Sequence, residues 1–153
     1  YSFYYWKTKA LTSLIAGIVL GVINLVLLWP LGLSLTFLLK SLTILPLACI
    51  FGTILGFTGW SLSWQMSNPY FFANLFISII TIVSGVLVLV SQYPKWLMII
   101  SYGFPFYEVV NFIKLNHTSL WMSCLNALVW LVIGIVSYIV QIKPVLNNKI
   151  HQY

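Results

Sequence analysis

Residues 70–90 form one long apolar run. The chain then breaks at Ser91–Pro94 and resumes as a shorter run, Trp96 to Tyr107, which stops at Glu108, the one acidic residue in the sequence. The first run has the ~20 residues that a helix needs to cross a ~30 Å hydrocarbon layer. The second has 12 and contains Gly103 and Pro105. Apolar stretches that short are more often re-entrant or interfacial than crossing. Whether the second run crosses decides how many spans there are and on which side the chain ends lie.

Composition fixes the class. Hydrophobic residues make up 61% of the 153 and charged residues 5%, with a mean hydropathy of +1.04. A soluble domain carries about 25% charged residues, and one of this size could not hide so much apolar surface. The expected class is all-α, a polytopic membrane protein. The strands of a membrane barrel alternate apolar and polar residues, whereas these runs are continuous. The net charge of +6 comes from seven lysines and one glutamate. The lysines stand at the ends of apolar runs, where headgroup anchoring and topology require them. The expected partner is therefore the lipid bilayer and not nucleic acid. Cys49 and Cys124 lie in different apolar segments without a CxxC pattern and read as small buried hydrophobes. The opening segment, YSFYYWKTK, has no signal-peptide layout, and the sequence reads as the later part of a longer protein.

Taken in order, Lys7 and Lys9 precede a first span at 10–29, closed by Trp29 and Pro30. Ser13, Gly17 and Gly21 fall four apart and offer a face for close helix contact. A lysine at the bilayer centre costs roughly 2.5–3.5 kcal/mol, which places Lys40 near an interface and the second span at 41–62. Pro46 then falls in its first turns, where its missing N–H matters least. Ala48, Gly52 and Gly56 repeat the small-residue spacing. A polar link, 63–69, leads to the third span at 70–90, and the last span is 119–140. Trp29, Trp60, Trp64, Trp96 and Trp121 stand at span ends, the headgroup level that tryptophan favours. If the short run does not cross, Lys7, Lys9, Lys143 and Lys149 share one face, against Lys40, Lys95 and Lys114 on the other. The positive-inside rule then puts both ends in the cytoplasm. The expectation is four spans plus a short re-entrant helical element at 94–112, the whole forming a single transmembrane domain.

A span containing Ser84-Gly85-Val86, followed by YPKWL (93–97), then GFPFYEVVNFIK (103–114), then a last span, resembles the C-terminal half of a type-2 ABC transporter permease. In that family the fifth span often carries a Ser-Gly step near its outer end. A proline-containing loop and a re-entrant element follow, with a second proline opening its second arm. Asn74 resembles a further recurring position. The resemblance implies that the four spans are the family's third to sixth, in a multi-pass protein of the plasma membrane. It implies a dimer, homo- or heteromeric, with the translocation path between the subunits and ATP and Mg held by a separate ATPase subunit. Tyr5, Trp6, Lys7 and Lys9 would end the cytoplasmic stretch that docks on that ATPase. Asn24, Asn74, Ser84, Gly85, Pro94, Gly103, Pro105, Glu108 and Asn111 are the candidates for path or gate.

The residues themselves point away from catalysis. No GxxxxGK[ST] loop for phosphates occurs, carboxylates cannot pair when only one exists, and His117, His151 and the two cysteines are scattered rather than clustered as metal ligands. No cofactor is expected on this chain. Glu108 admits two readings: an ionisable group at membrane depth that gates substrate or carries a proton, or an acid in the first turn of a helix opened by Pro105, facing exposed N–H groups. Lys95 and Lys114 could also partner it. Asn24, Asn74, Asn111 and Asn126 either hydrogen-bond between helices or line a path. Asn116-His117-Thr118 matches a glycosylation sequon and carries no further weight. Two other functions fit the same composition: the membrane substrate-binding component of an importer, and an immunity-type membrane protein that binds a partner.

Overall fold

The computed structural model describes residues 3–88, 90–115, 119–143 and 145, and every regular element among them is helical. Three helices are long and apolar enough to cross a membrane: Lys7–Leu31, Leu35–Leu62 and Trp121–Ile142. A bent pair of short helices is a further candidate. The chain is a helical, membrane-type protein.

Helix α1 (Phe3–Leu28) runs into a 3-10 turn, Trp29–Leu31, which contains Pro30. Gly32 closes the turn at φ +81°, a conformation that costs a glycine nothing. The helix begins ahead of the expected span at 10–29, so Lys7 and Lys9 lie within the helix. Nothing in 4–10 breaks the ladder, and the Thr8 and Thr12 hydroxyls donate to the carbonyls of Tyr4 and Thr8.

Helix α2 (Leu35–Leu62) starts earlier than expected, because Ser34 caps it by accepting the N–H of Phe37 at 3.3 Å. Lys40 therefore lies inside the helix. Pro46 sits in its interior rather than its first turns, where the ring removes a backbone donor, and the helix runs through it unbroken. Helices α1, α3 (Phe71–Val83), α5 (Tyr107–Leu115) and α6 (Trp121–Ser137) all pack on α2. It is the hub of the bundle.

The small-residue face of α1 is used as expected. A Cβ on Gly21 would stand 2.5 Å from Leu45 Cδ1, and one on Gly17 3.1 Å from Cys49 Sγ. The corresponding face of α2 is not closed: a Cβ on Gly52 or Gly56 would meet nothing within 4 Å. They border a cleft of about 260 Å³ shared with Ala73, Phe76 and Phe106. Close approach falls one turn further on, because the link 63–70 is short and brings α3 back against the last turns of α2. A Cβ on Gly59 would lie 2.9 Å from the Ala73 backbone nitrogen. Gly59→Ala is therefore expected to destabilise the bundle by about 1–3 kcal/mol, the usual effect of overpacking. Gly52→Ala should be neutral or slightly stabilising, since alanine is the better helix former by about 1 kcal/mol. Chemical unfolding of the two variants in detergent micelles, followed by circular dichroism, checks the difference in sign.

The expected third span, 70–90, is cut short. Helix α3 ends at Val83 after 13 residues, about 20 Å at 1.5 Å per residue. Ser84 follows, and Gly85 at φ +83° turns the chain out of the helix. The next residues include Val86, Val88 and Val90, whose branched side chains favour extended backbone. A 3-10 turn, Val90–Gln92, leads to Pro94, which stands as the extended N-cap of α4 (Lys95–Tyr102). Helices α4 and α5 then make an angle of 101° across the break at 103–106. Helix α6 continues as a π-helical turn, Tyr138–Ile142.

Two apolar clusters hold these elements together. Ile44, Phe51, Val109 and Ala127 form one, and Leu55, Phe76, Val83 and Phe104 the other. Phe106, at the break between α4 and α5, packs on both.

Candidate functional site

Breaking a helix inside an apolar bundle exposes carbonyls that water would normally satisfy. At the end of α3 four of them meet a side chain from further along the chain. Ile82 O accepts from the Tyr93 hydroxyl at 2.5 Å, and Val83 O accepts from the Ser101 hydroxyl. Gly85 O and Val86 O both accept from the Lys114 ammonium, at 2.7 and 2.8 Å. A cation at a helix C-terminus also opposes the negative end of its dipole.

The break between α4 and α5 is satisfied in the same way, from α6. Asn126 Nδ2 donates to Tyr102 O, and Trp130 Nε1 donates to Gly103 O at 2.9 Å. The Trp130 ring stacks on Phe104 at 5.3 Å and meets Phe76 edge-on at 5.1 Å. Its own carbonyl accepts from Thr58 Oγ1 at 2.8 Å, which fastens α6 to α2. Gly134 allows that contact, since a Cβ there would lie 2.8 Å from Thr58 Oγ1.

Glu108 stands in the first turn of α5, but the N–H it takes belongs to the neighbouring helix. Its Oε2 accepts from Ser123 N at 2.8 Å, in the first turn of α6, where N–H groups lack partners and the dipole favours a negative charge. Lys114 is committed to the α3 carbonyls instead of to this carboxylate. Glu108 also lines a cleft of about 320 Å³ with Tyr102, Phe104, Tyr107, Met122, Ser123 and Asn126. The rings of Tyr102 and Tyr107 meet at right angles, 4.8 Å apart. Among the described residues no three His, Cys, Asp or Glu side chains stand together.

Of the residues singled out from the sequence, Ser84, Gly85, Pro94, Gly103, Pro105 and Glu108 all belong to this junction of α3, α4 and α5. Ser84 is buried, with its hydroxyl unpartnered, and Pro105 is fully buried. Asn111 is half-buried on α5. Asn24 is exposed on α1 and Asn74 is exposed on α3, away from the junction. Tyr5, Lys7 and Lys9 are exposed on the first turns of α1, with Lys9 Nζ 5.8 Å above the Tyr5 ring. The side chain of Trp6, the sequon at 116–118 and the tail residues Lys149 and His151 lie outside the described residues.

Sequence reasoning missed Tyr93, Ser101 and Trp130 as members of the junction. Trp130 left a signal, because it lies mid-span rather than at a span end, and an indole N–H in apolar surroundings needs an acceptor. Compared with protein-family models, with curated proteins and with solved structures, the chain matches none.

Proposed function

We propose that the chain is the later half of a type-2 ABC transporter permease, with four spans, a re-entrant α4–α5 hairpin and both ends of this chain in the cytoplasm. One observation carries the reading. Tyr93, just before α4, reaches Ile82, and Lys114, in the last turn of α5, reaches Gly85 and Val86. Both ends of the excursion are thus tied to the end of α3. Seventeen helical residues in line would carry the chain about 25 Å away, and a crossing pair could not return Lys114 to residue 85. The third span is then α3 prolonged by the residues after Val83. Irregular backbone at that depth needs its polar groups satisfied by protein, as Ser101 and Lys114 do for Val83 O, Gly85 O and Val86 O.

In this reading two permease subunits enclose the path at the plasma membrane, the α4–α5 hairpin caps its outer end, and a separate ATPase subunit holding ATP and Mg drives alternation from the cytoplasmic side. The full-length protein, isolated in mild detergent, is expected to retain an ATP-binding subunit and MgATP hydrolysis. Preparations that never retain one overturn the reading. The cleft at Glu108 favours a second reading, the substrate-binding component of an importer, which tight ligand binding without any ATPase would support.

A further inference from the structure

We infer that the cleft beside Glu108 binds an organic ammonium ion, a protonated amine on a small apolar or aromatic body. Two acceptors in it are open. Glu108 gives Oε2 to Ser123 N and keeps Oε1 without a partner among the described residues. Asn126 donates Nδ2 to Tyr102 O and keeps Oδ1 free in the same way. Phe104 and Met122 supply apolar wall. Both oxygens are accessible from the cleft and stand beside a mostly apolar wall, where a hydrogen bond is stronger than in bulk water, and only a cationic donor also neutralises the carboxylate.

The remaining walls suit a cation as well. Tyr102 and Tyr107 bring two perpendicular rings to the cleft, and the face of an aromatic ring attracts an ammonium group within about 6 Å. None of the six described lysines lines it, so among the described residues no cation competes for the carboxylate of Glu108. A volume of about 320 Å³ lies at the small end of ligand sites, which run to roughly 300–1,000 Å³. It has room for one ring with its amine. The inference is independent of the transport reading, because binding needs neither nucleotide nor another subunit.

The test is equilibrium dialysis of the full-length protein in phosphatidylcholine nanodiscs at neutral pH, with 2-phenylethylammonium against its neutral isostere 2-phenylethanol. Saturable binding of the ammonium, at least about ten-fold tighter than that of the alcohol, is the expected result. Glu108→Gln keeps an oxygen for Ser123 N while removing the charge, and it should abolish that preference. Tyr102→Leu should weaken ammonium binding several-fold, and Lys95→Gln, outside the cleft, should leave it unchanged. Equal binding of the two probes, no saturable binding of either, or an undiminished preference in folded Glu108→Gln overturns the proposal. If that variant does not fold, the comparison of the two probes on the unaltered protein, with Tyr102→Leu, decides.

Discussion

Trp130→Ala is expected to be among the most damaging single substitutions in the bundle. The indole fills the space between Phe104 and Phe76 and donates to Gly103 O. Truncating a large core aromatic costs about 3–5 kcal/mol, and Trp130 is half-buried, which favours the lower end. Losing the bond to Gly103 O, which lies on an exposed residue, adds about 0.5–1.5 kcal/mol, the net worth of one hydrogen bond. Trp130→Phe separates the two terms, since it keeps most of the ring and loses only the donor. Detergent unfolding curves should rank the unaltered protein above Trp130→Phe, and Trp130→Phe above Trp130→Ala. Protease access at 103–106 should rise in the same order. A Trp130→Ala protein as stable as the parent would mean that the α4–α5 break is held by something else.

Lys114→Met is the second large effect. The thioether occupies much the same volume but cannot donate, so Gly85 O and Val86 O both lose their partner. Each unsatisfied buried carbonyl costs about 1–3 kcal/mol. Val86 is exposed enough to find another donor, so a total near 2 kcal/mol is expected, at the level of one such loss. Lys114→Arg keeps both charge and donors and should lie close to the parent. The readouts are unfolding in detergent and the reactivity of a cysteine placed at Leu115, which should rise only with methionine. Equal behaviour of the two variants would show that Lys114 acts as a surface charge and not as a tie.

The fold class could be read from the sequence because apolar runs without charge leave a chain few options. The first and last spans were readable for that reason, and the sharp break at Pro94–Pro105 was readable because proline and glycine limit backbone in known ways. The early start of α2 is hard to read because the cost of Lys40 in the bilayer argues against it while Ser34 alone, a capping residue, argues for it. The truncation of α3 was missed because hydropathy counts residues and does not see a glycine at positive φ. Ser84-Gly85 was noticed only through resemblance, although a Ser-Gly step ahead of alternating valines is itself a physical signal. At the site, Glu108 was visible as the sole acid. Its partner was not, since a backbone N–H on a helix 15 residues away leaves no trace in composition. Lys114 reads from the sequence as a topology charge or a partner of Glu108, and only the chain path brings it to the carbonyls that α3 leaves open.

A re-entrant hairpin requires the chain to enter and leave the α4–α5 excursion on the same side of the membrane. Single cysteines at Lys95 and Ser119, both exposed, in a background with Cys49→Ala and Cys124→Ala, can be reacted with a membrane-impermeant maleimide in intact cells, with a cysteine at Ser67 on the 63–70 link as the opposite-side reference. Labelling of 95 and 119 together from outside, with 67 protected, is the predicted result. Labelling of 95 and 119 from opposite faces would contradict it, and the span count, the orientation and the permease reading would go with it.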